Sequence, residues 1–132
     1  RTFKDDIDLC KDIIKTGKNT YASLGMWSKK NFPYRKRNVK YLFCVSKYPT
    51  YYKDLRAFPK NFNKFFGYSD HLIGNEGCIL AASRGAKIIE KHFTLSKSSN
   101  VIRDHLLSAT PNEFRDLVYN CKAVYKLNQS IS

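Results

Sequence analysis

The sequence holds no apolar run long enough to span a bilayer, so no membrane partner is expected. It shows no secretory leader either, because Arg1, Lys4, Asp5 and Asp6 charge its start. An initiator methionine is missing, and the chain reads as a fragment or a processed product. Its four cysteines, Cys10, Cys44, Cys78 and Cys121, form no CxxC pair and no Cys/His cluster of zinc-finger spacing. That argues against a disulfide framework; free buried thiols in a reducing cytoplasm are the simplest reading. Acidic residues are scarce, 11 against 24 Lys and Arg, which leaves a net charge of +13. The basic residues are spread from Lys4 to Lys126, as on a lysine-rich solvated surface. One cluster stands out, Lys29-Lys30 through Arg35-Lys36-Arg37, with Trp27, Phe32 and Tyr34 interleaved. That composition suits a single-strand patch, but no recognised nucleic-acid motif accompanies it. A nucleic-acid partner therefore ranks well below an enzymatic role.

One domain is the natural count for 132 residues, and the 42% hydrophobic content supports a core. Two short runs organise the chain. Phe66-Gly67-Tyr68-Ser69-Asp70-His71 and Ile88-Ile89-Glu90-Lys91-His92-Phe93-Thr94-Leu95 are apolar or aromatic, and each carries a histidine near a carboxylate. Between them, Asn75 to Arg84 has a helix-friendly middle, closed by Gly85. A crossover of this length joins parallel strands rather than a hairpin. Parallel strands point the same way, so both histidines fall at one carboxyl-terminal edge. Neighbouring strands lie about 4.8 Å apart. Two imidazoles at matching tips can therefore share one metal ion at about 2.1 Å from each nitrogen.

The rest of the chain follows the same alternation. Asp5 and Asp6 place negative charge where a helix begins; Ile7, Cys10 and Ile14, with Leu9 and Ile13, form its stripe, and Gly17 ends it. Asn19 to Leu24 reads as a strand. Trp27 to Asn38, broken by Pro33, reads as a loop or single turn. Val39 to Ser46 is the next strand, and alternation puts Cys44, Ser46 and Tyr48 on one face. Leu55, Phe58, Phe62 and Phe65 recur at helical spacing, with Pro59 suited to a first turn. They predict a helix whose phenylalanines pack the core. Lys87 to Thr94 is the fourth strand, and Ser96 to Val101 a polar loop. Thr110-Pro111-Asn112-Glu113 is a capping box. It opens an amphipathic helix through Phe114, Leu117, Val118, Cys121, Val124 and Tyr125 that frays from Asn128.

Several motifs in one order carry a resemblance. GYSDH, then EKHFTL, then Arg103-Asp104-His105 ahead of Ser108 and a Thr-Pro-x-Glu-Phe helix start, resembles the sialic acid (N-acetylneuraminate) synthase family. The likeness runs from Lys15 to Leu127. Cys44-Val45-Ser46-Lys47-Tyr48-Pro49 resembles the family's Cys-x-Ser/Asn-x-Tyr-Pro motif. Ser23-Leu24-Gly25-Met26 resembles its Ser-Thr-Gly-Met strand, with Leu24 in the threonine position. Arg103 stands where members often have proline, and the 27–38 connection is shorter than the family's helix. The resemblance implies an α/β fold, a parallel β-sheet corresponding to strands 5–8 of a TIM-type (β/α)8 barrel. Residues 1–132 would be a single partial domain, the carboxyl-terminal half of that barrel. Its first four strands, with the family's lysines and catalytic glutamate, and its antifreeze-like domain would be absent.

The resemblance also implies the chemistry. Phosphoenolpyruvate condenses with N-acetylmannosamine or a related 2-acetamido sugar to give a nonulosonic acid and phosphate. His71 and His92 would hold manganese or another divalent cation, a choice that suits imidazole with oxygen donors. Ser69, on the face of His71, would contact phosphoenolpyruvate phosphate, with Ser46 and Ser23 as weaker candidates. Tyr48 and Asp104 would hold the acetamido sugar, and His105 and Ser108 would shape the loop. Asp70 is a candidate to orient a histidine, unless strand alternation points it outward, and Glu90 is expected to be a deeper polar group or part of a buried ion pair. A missing half-barrel or a second copy is the expected partner, in the cytoplasm, and the isolated chain is expected to be inactive. Two other readings compete: a flavodoxin-like binding module that has lost catalysis, and a basic nucleic-acid-binding protein.

Overall fold

The computed structural model describes residues 5–98 and 103–131. The start before Asp5 and the loop positions Ser99 and Asn100 lie outside the described residues. Asp6 caps the first helix, α1 (Ile7–Lys15), by accepting the Leu9 backbone N–H at 2.9 Å. Gly17, with φ +70°, turns the chain out of it. Strands β1 (Thr20–Ser23) and β2 (Val39–Cys44) follow, separated by a segment without helix, as Pro33 leads one to expect. Next come β3 (Gly67–Asp70), α2 (Glu76–Ser83), β4 (Ile88–Lys91) and α3 (Pro111–Ser130).

The four strands form one sheet in the order β1-β2-β3-β4, and every pair is parallel. Alternation sorts their side chains. Ala22, Tyr41, Phe43, Tyr68 and Ile89 enter the core under the helices and loops. Ser23, Leu42, Cys44, Ser69 and Glu90 fall on the opposite face. At that face the Ser23 hydroxyl donates to the Glu90 carboxylate at 3.2 Å, from the first strand to the last. In a flat sheet those strands would stand about 14 Å apart. The sheet is therefore curled, and the four strands make a half-barrel with a concave inner face. Gly67 is required by this packing: a Cβ there would run into the Ile88 carbonyl oxygen.

The structure departs from expectation between β2 and β3. No α-helix forms over Leu55 to Phe65; the chain makes a 3-10 turn over Tyr52–Leu55 and then bends. Long-range bonds replace the helical ladder. The Phe62 N–H donates to the Arg84 carbonyl at 3.0 Å, and the Arg84 guanidinium donates to the Pro59 carbonyl at 2.9 Å. The phenylalanines still pack the core. Phe62 is buried beside Tyr68 and Ala81, and Phe58 and Phe65 lie against them. At the far end α3 continues through Ser130, beyond the expected fraying point at Asn128.

Candidate functional site

Two loop clamps build the carboxyl edge of the half-barrel. The Thr50 N–H donates to the His71 carbonyl at 2.8 Å, and Thr50 bridges Leu72. This draws the 45–50 segment onto the tip of β3. There the His71 Nδ1–H donates to the Val45 carbonyl at 2.8 Å. That bond sets the ring's tautomer and leaves Nε2 with a free lone pair. Likewise the Ala109 N–H donates to the His92 carbonyl at 2.8 Å, and the Thr94 N–H to the Ala109 carbonyl at 3.0 Å. These bonds seat the 103–109 segment on the tip of β4.

Three rings meet between the clamps. The centroids of His71 and His92 are 5.2 Å apart, and Tyr48 lies 4.1 Å from His71 and 5.9 Å from His92. Asp104 stands beside them, with its Oδ2 3.9 Å from His92 Nδ1. Burial pushes the His71 pKa below the ordinary histidine value, and His92 pushes the same way, against the bond to Val45. The ring is therefore neutral near pH 7, as a metal ligand must be. Among the described residues no set of three or more His, Cys, Asp or Glu side chains converges as a metal cage. The fit to a divalent ion thus rests on two imidazoles whose centroids are 5.2 Å apart, and an ion held there would need further donors.

One layer below the rings, Ser69 is buried in register with Cys44 on one side and Glu90 on the other. The Cys44 thiol lies 3.9 Å from His71 Nδ1. Burial pushes that thiol's pKa up, against the hydroxyls of Ser69 and Ser46 beside it, which act to lower it, so it is a neutral hydrogen-bonding group. Ser46 is exposed and packs so close to Gly25 that a Cβ at Gly25 would strike its hydroxyl. Ser23 is turned to Glu90, a carboxylate that repels a phosphate. Ser108 shapes its loop as expected, its hydroxyl donating to the Asp104 carbonyl at 2.6 Å. The Nδ1 of His105 is buried without a hydrogen-bond partner among the described residues.

Asp70 does not orient His71, and Glu90 is the deeper polar group of the inner face and not part of the buried ion pair. Asp70 points away from His71, to the helix side. Its carboxylate accepts from Tyr68 Oη at 2.6 Å, the Leu72 N–H at 3.1 Å, Cys78 Sγ at 3.3 Å and Lys91 Nζ at 2.7 Å. Glu90 is exposed on the concave face and makes no ion pair among the described residues. The buried pair is instead Asp70 with Lys91, one residue along each strand, where alternation turns both outward in register. Lys91 also donates to the carbonyls of Leu72 and Gly74, which fixes the turn that follows His71. The same alternation that places the histidines inward carries the signal for this pair.

The comparisons with known proteins agree with this arrangement. The profile of the NeuB family matches residues 4–131. An uncharacterised protein of Methanocaldococcus jannaschii is 36% identical over 132 residues, covering 90% of this chain and 39% of its own length. An N,N'-diacetyllegionaminic acid synthase of Legionella pneumophila is 40% identical over 86 residues, covering 61% of this chain and 24% of its own length. Among solved structures, an N-acetylneuraminic acid (sialic acid) synthetase from Leptospira borgpetersenii in complex with citrate superposes with a TM-score of 0.73 at 31% identity. That match covers 92% of this chain and 47% of the synthetase. The chain thus spans less than half the length of these relatives. By its motifs, its curled parallel sheet and its near end-to-end match, this chain belongs to the NeuB family.

Proposed function

We propose that this chain supplies half of the active centre of a nonulosonic acid synthase. That enzyme condenses phosphoenolpyruvate with N-acetylmannosamine or a related 2-acetamido sugar, in the cytoplasm. The observation that carries the reading is the meeting of His71 and His92 at 5.2 Å, at the carboxyl edge where barrel enzymes build their sites. The two imidazoles would hold a divalent ion, manganese by preference, whose chemistry when bound is to polarise the sugar aldehyde.

The chain's own residues bind and orient. The His71 Nδ1 bond to Val45 holds the ring and leaves Nε2 as the nitrogen that would bind the ion. Tyr48 packs on the His71 ring and, with Asp104, offers hydroxyl and carboxylate to the acetamido sugar. Ser69 is the best placed of the three serines for the phosphate: it is buried, on the inner face and one layer below the rings. In the condensation, the methylene carbon of phosphoenolpyruvate bonds to the aldehyde carbon. Water adds at the adjacent cationic carbon, and phosphate leaves with the bonding electrons of its C–O bond.

Catalysis requires polar groups fixed around the reacting atoms from all sides. The concave face here is lined from one side, so the reaction waits on a completing half-barrel or a second copy. The test is manganese titration of the 132-residue chain by electron paramagnetic resonance. Weak binding should be seen, and His71→Ala or His92→Ala should each remove it. Binding that survives either substitution sinks the shared-ion reading. With manganese, phosphoenolpyruvate and N-acetylmannosamine the isolated chain should release no phosphate above background; clear turnover would show that this half is sufficient.

A further inference from the structure

The basic cluster noted in the sequence has a place in the fold, at the edge of the sheet opposite His71 and His92. A cavity of 670 Å³ there is lined by Arg35, Lys36, Arg37, Lys40, Lys64 and Lys87. Topology gathers them. Arg35 to Arg37 precede β2, Lys40 opens it, Lys64 lies in the loop before β3, and Lys87 lies in the turn before β4. No acidic residue lines the cavity. None of the six cations enters an ion pair among the described residues. Like charges held around one space repel, and an anion seated among them relieves that repulsion.

Aromatic rings fix the lysines in place. Lys40 and Lys87 sit over the Phe66 ring, at 5.2 Å and 5.9 Å, and Lys64 sits over Phe32 at 5.5 Å. The same contacts cover the ring faces on which nucleic-acid bases would stack. The cations also converge from four separate segments on one concavity instead of tracking along a groove. Its volume falls within the range of small-molecule sites, roughly 300–1,000 Å³.

We propose that this cavity binds a compact polyphosphate anion, either a free polyphosphate or the triphosphate of a nucleotide. The proposal is independent of the synthase reading, because the cavity shares no residue with the histidine site. The test is calorimetric titration of the chain, in magnesium-free buffer of low salt, with inorganic tripolyphosphate, ATP, orthophosphate and an oligothymidylate. Tripolyphosphate and ATP should each bind saturably at one site, and orthophosphate at least about tenfold more weakly, for want of the further charge-assisted bonds. Equal affinity for the two triphosphates marks the phosphate chain as the ligand; tighter binding of ATP marks the nucleotide.

Lys87→Ala and Arg37→Ala should each weaken binding by about tenfold, and Lys53→Ala, at the other edge, should not. Lys87 and Arg37 are exposed, and circular dichroism checks that both variants keep the fold. Three results would overturn the proposal. One is the absence of saturable binding. Another is an equal loss in Lys53→Ala. The third is oligothymidylate binding tighter than ATP and growing with length, which would make the patch a nucleic-acid surface.

Discussion

Lys91 is almost fully sequestered, with 1% of its side chain exposed and its ammonium 2.7 Å from an Asp70 carboxylate that is wholly buried. Removing one member of such a pair leaves the other as an uncompensated buried charge. Lys91→Met should therefore lower stability by about 3–5 kcal/mol, read from urea unfolding. A change below 1 kcal/mol would mean that Asp70 is satisfied by Tyr68, Leu72 and Cys78 alone. His71 makes a second prediction, in pH. Its folded pKa lies below the unfolded value because burial disfavours the charged ring. The unfolded chain then binds the extra proton first, so stability is full above about pH 6.5 and falls as pH drops below it, levelling once the folded ring protonates. His71→Gln should flatten that slope, and an unchanged slope would assign it to other groups. For Ser69, replacement by alanine in a complete relative should weaken phosphoenolpyruvate binding by about 1 kcal/mol, seen in the substrate dependence. No change would leave Ser69 a structural hydroxyl packed beside Cys44.

The elements differ in how plainly the sequence announced them. The start of α3 was legible, because Thr110 and Glu113 cap each other, while its last turn runs past the expected fraying point. The Thr110 hydroxyl accepts the Glu113 N–H, and the Glu113 carboxylate accepts the Thr110 N–H at 2.8 Å. Lys97 lies 2.7 Å from Glu113 and, with the Thr110 backbone, holds that carboxyl below the usual range. Thr110→Ala should cost about 1 kcal/mol in thermal or urea unfolding; a loss of a few tenths would show that Pro111 and the packing of Leu117 alone set the helix start. The four strands were legible as short runs closed by turn signals, although β2 stops at Cys44 and β4 at Lys91, short of the expected Ser46 and Thr94. The phenylalanines after Leu55 misled because three- and four-residue spacing marks burial on one side, and an irregular chain satisfies it too. What decided their shape was Arg84, whose carbonyl and guanidinium reach back to Phe62 and Pro59. No local pattern reveals a partner more than 20 residues away. In the site, alternation placed His71 and His92 together, while Cys44 against His71 depended on the register of β2 with β3. Asp70 takes the outward face that alternation allows, and its neighbour His71 the inward one, because adjacent strand residues point to opposite sides.

At the scale of the whole molecule, the chain exposes more surface than its size requires. A compact monomer of this mass exposes roughly 7,200 Å², and this chain exposes 9117 Å². Ile7, Leu9 and Ile13 of α1 and Tyr21 of β1 are all uncovered at one end, and Phe93 and Leu95 at the other. Among the described residues, β1 and β4 are both open edges of the sheet. We therefore expect the purified chain to self-associate, as two half-barrels face to face, and light scattering on a sizing column will read it. A monomer at all concentrations would refute this. The hydrogen bond from Ser23 to Glu90 bears on what such a partner meets. It ties the two ends of an arc together as a chord does, and a chord of fixed length on an arc of fixed length sets the radius. A barrel completed on this half would then inherit its bore from it, and strands that closed it would have to conform to a curvature already drawn.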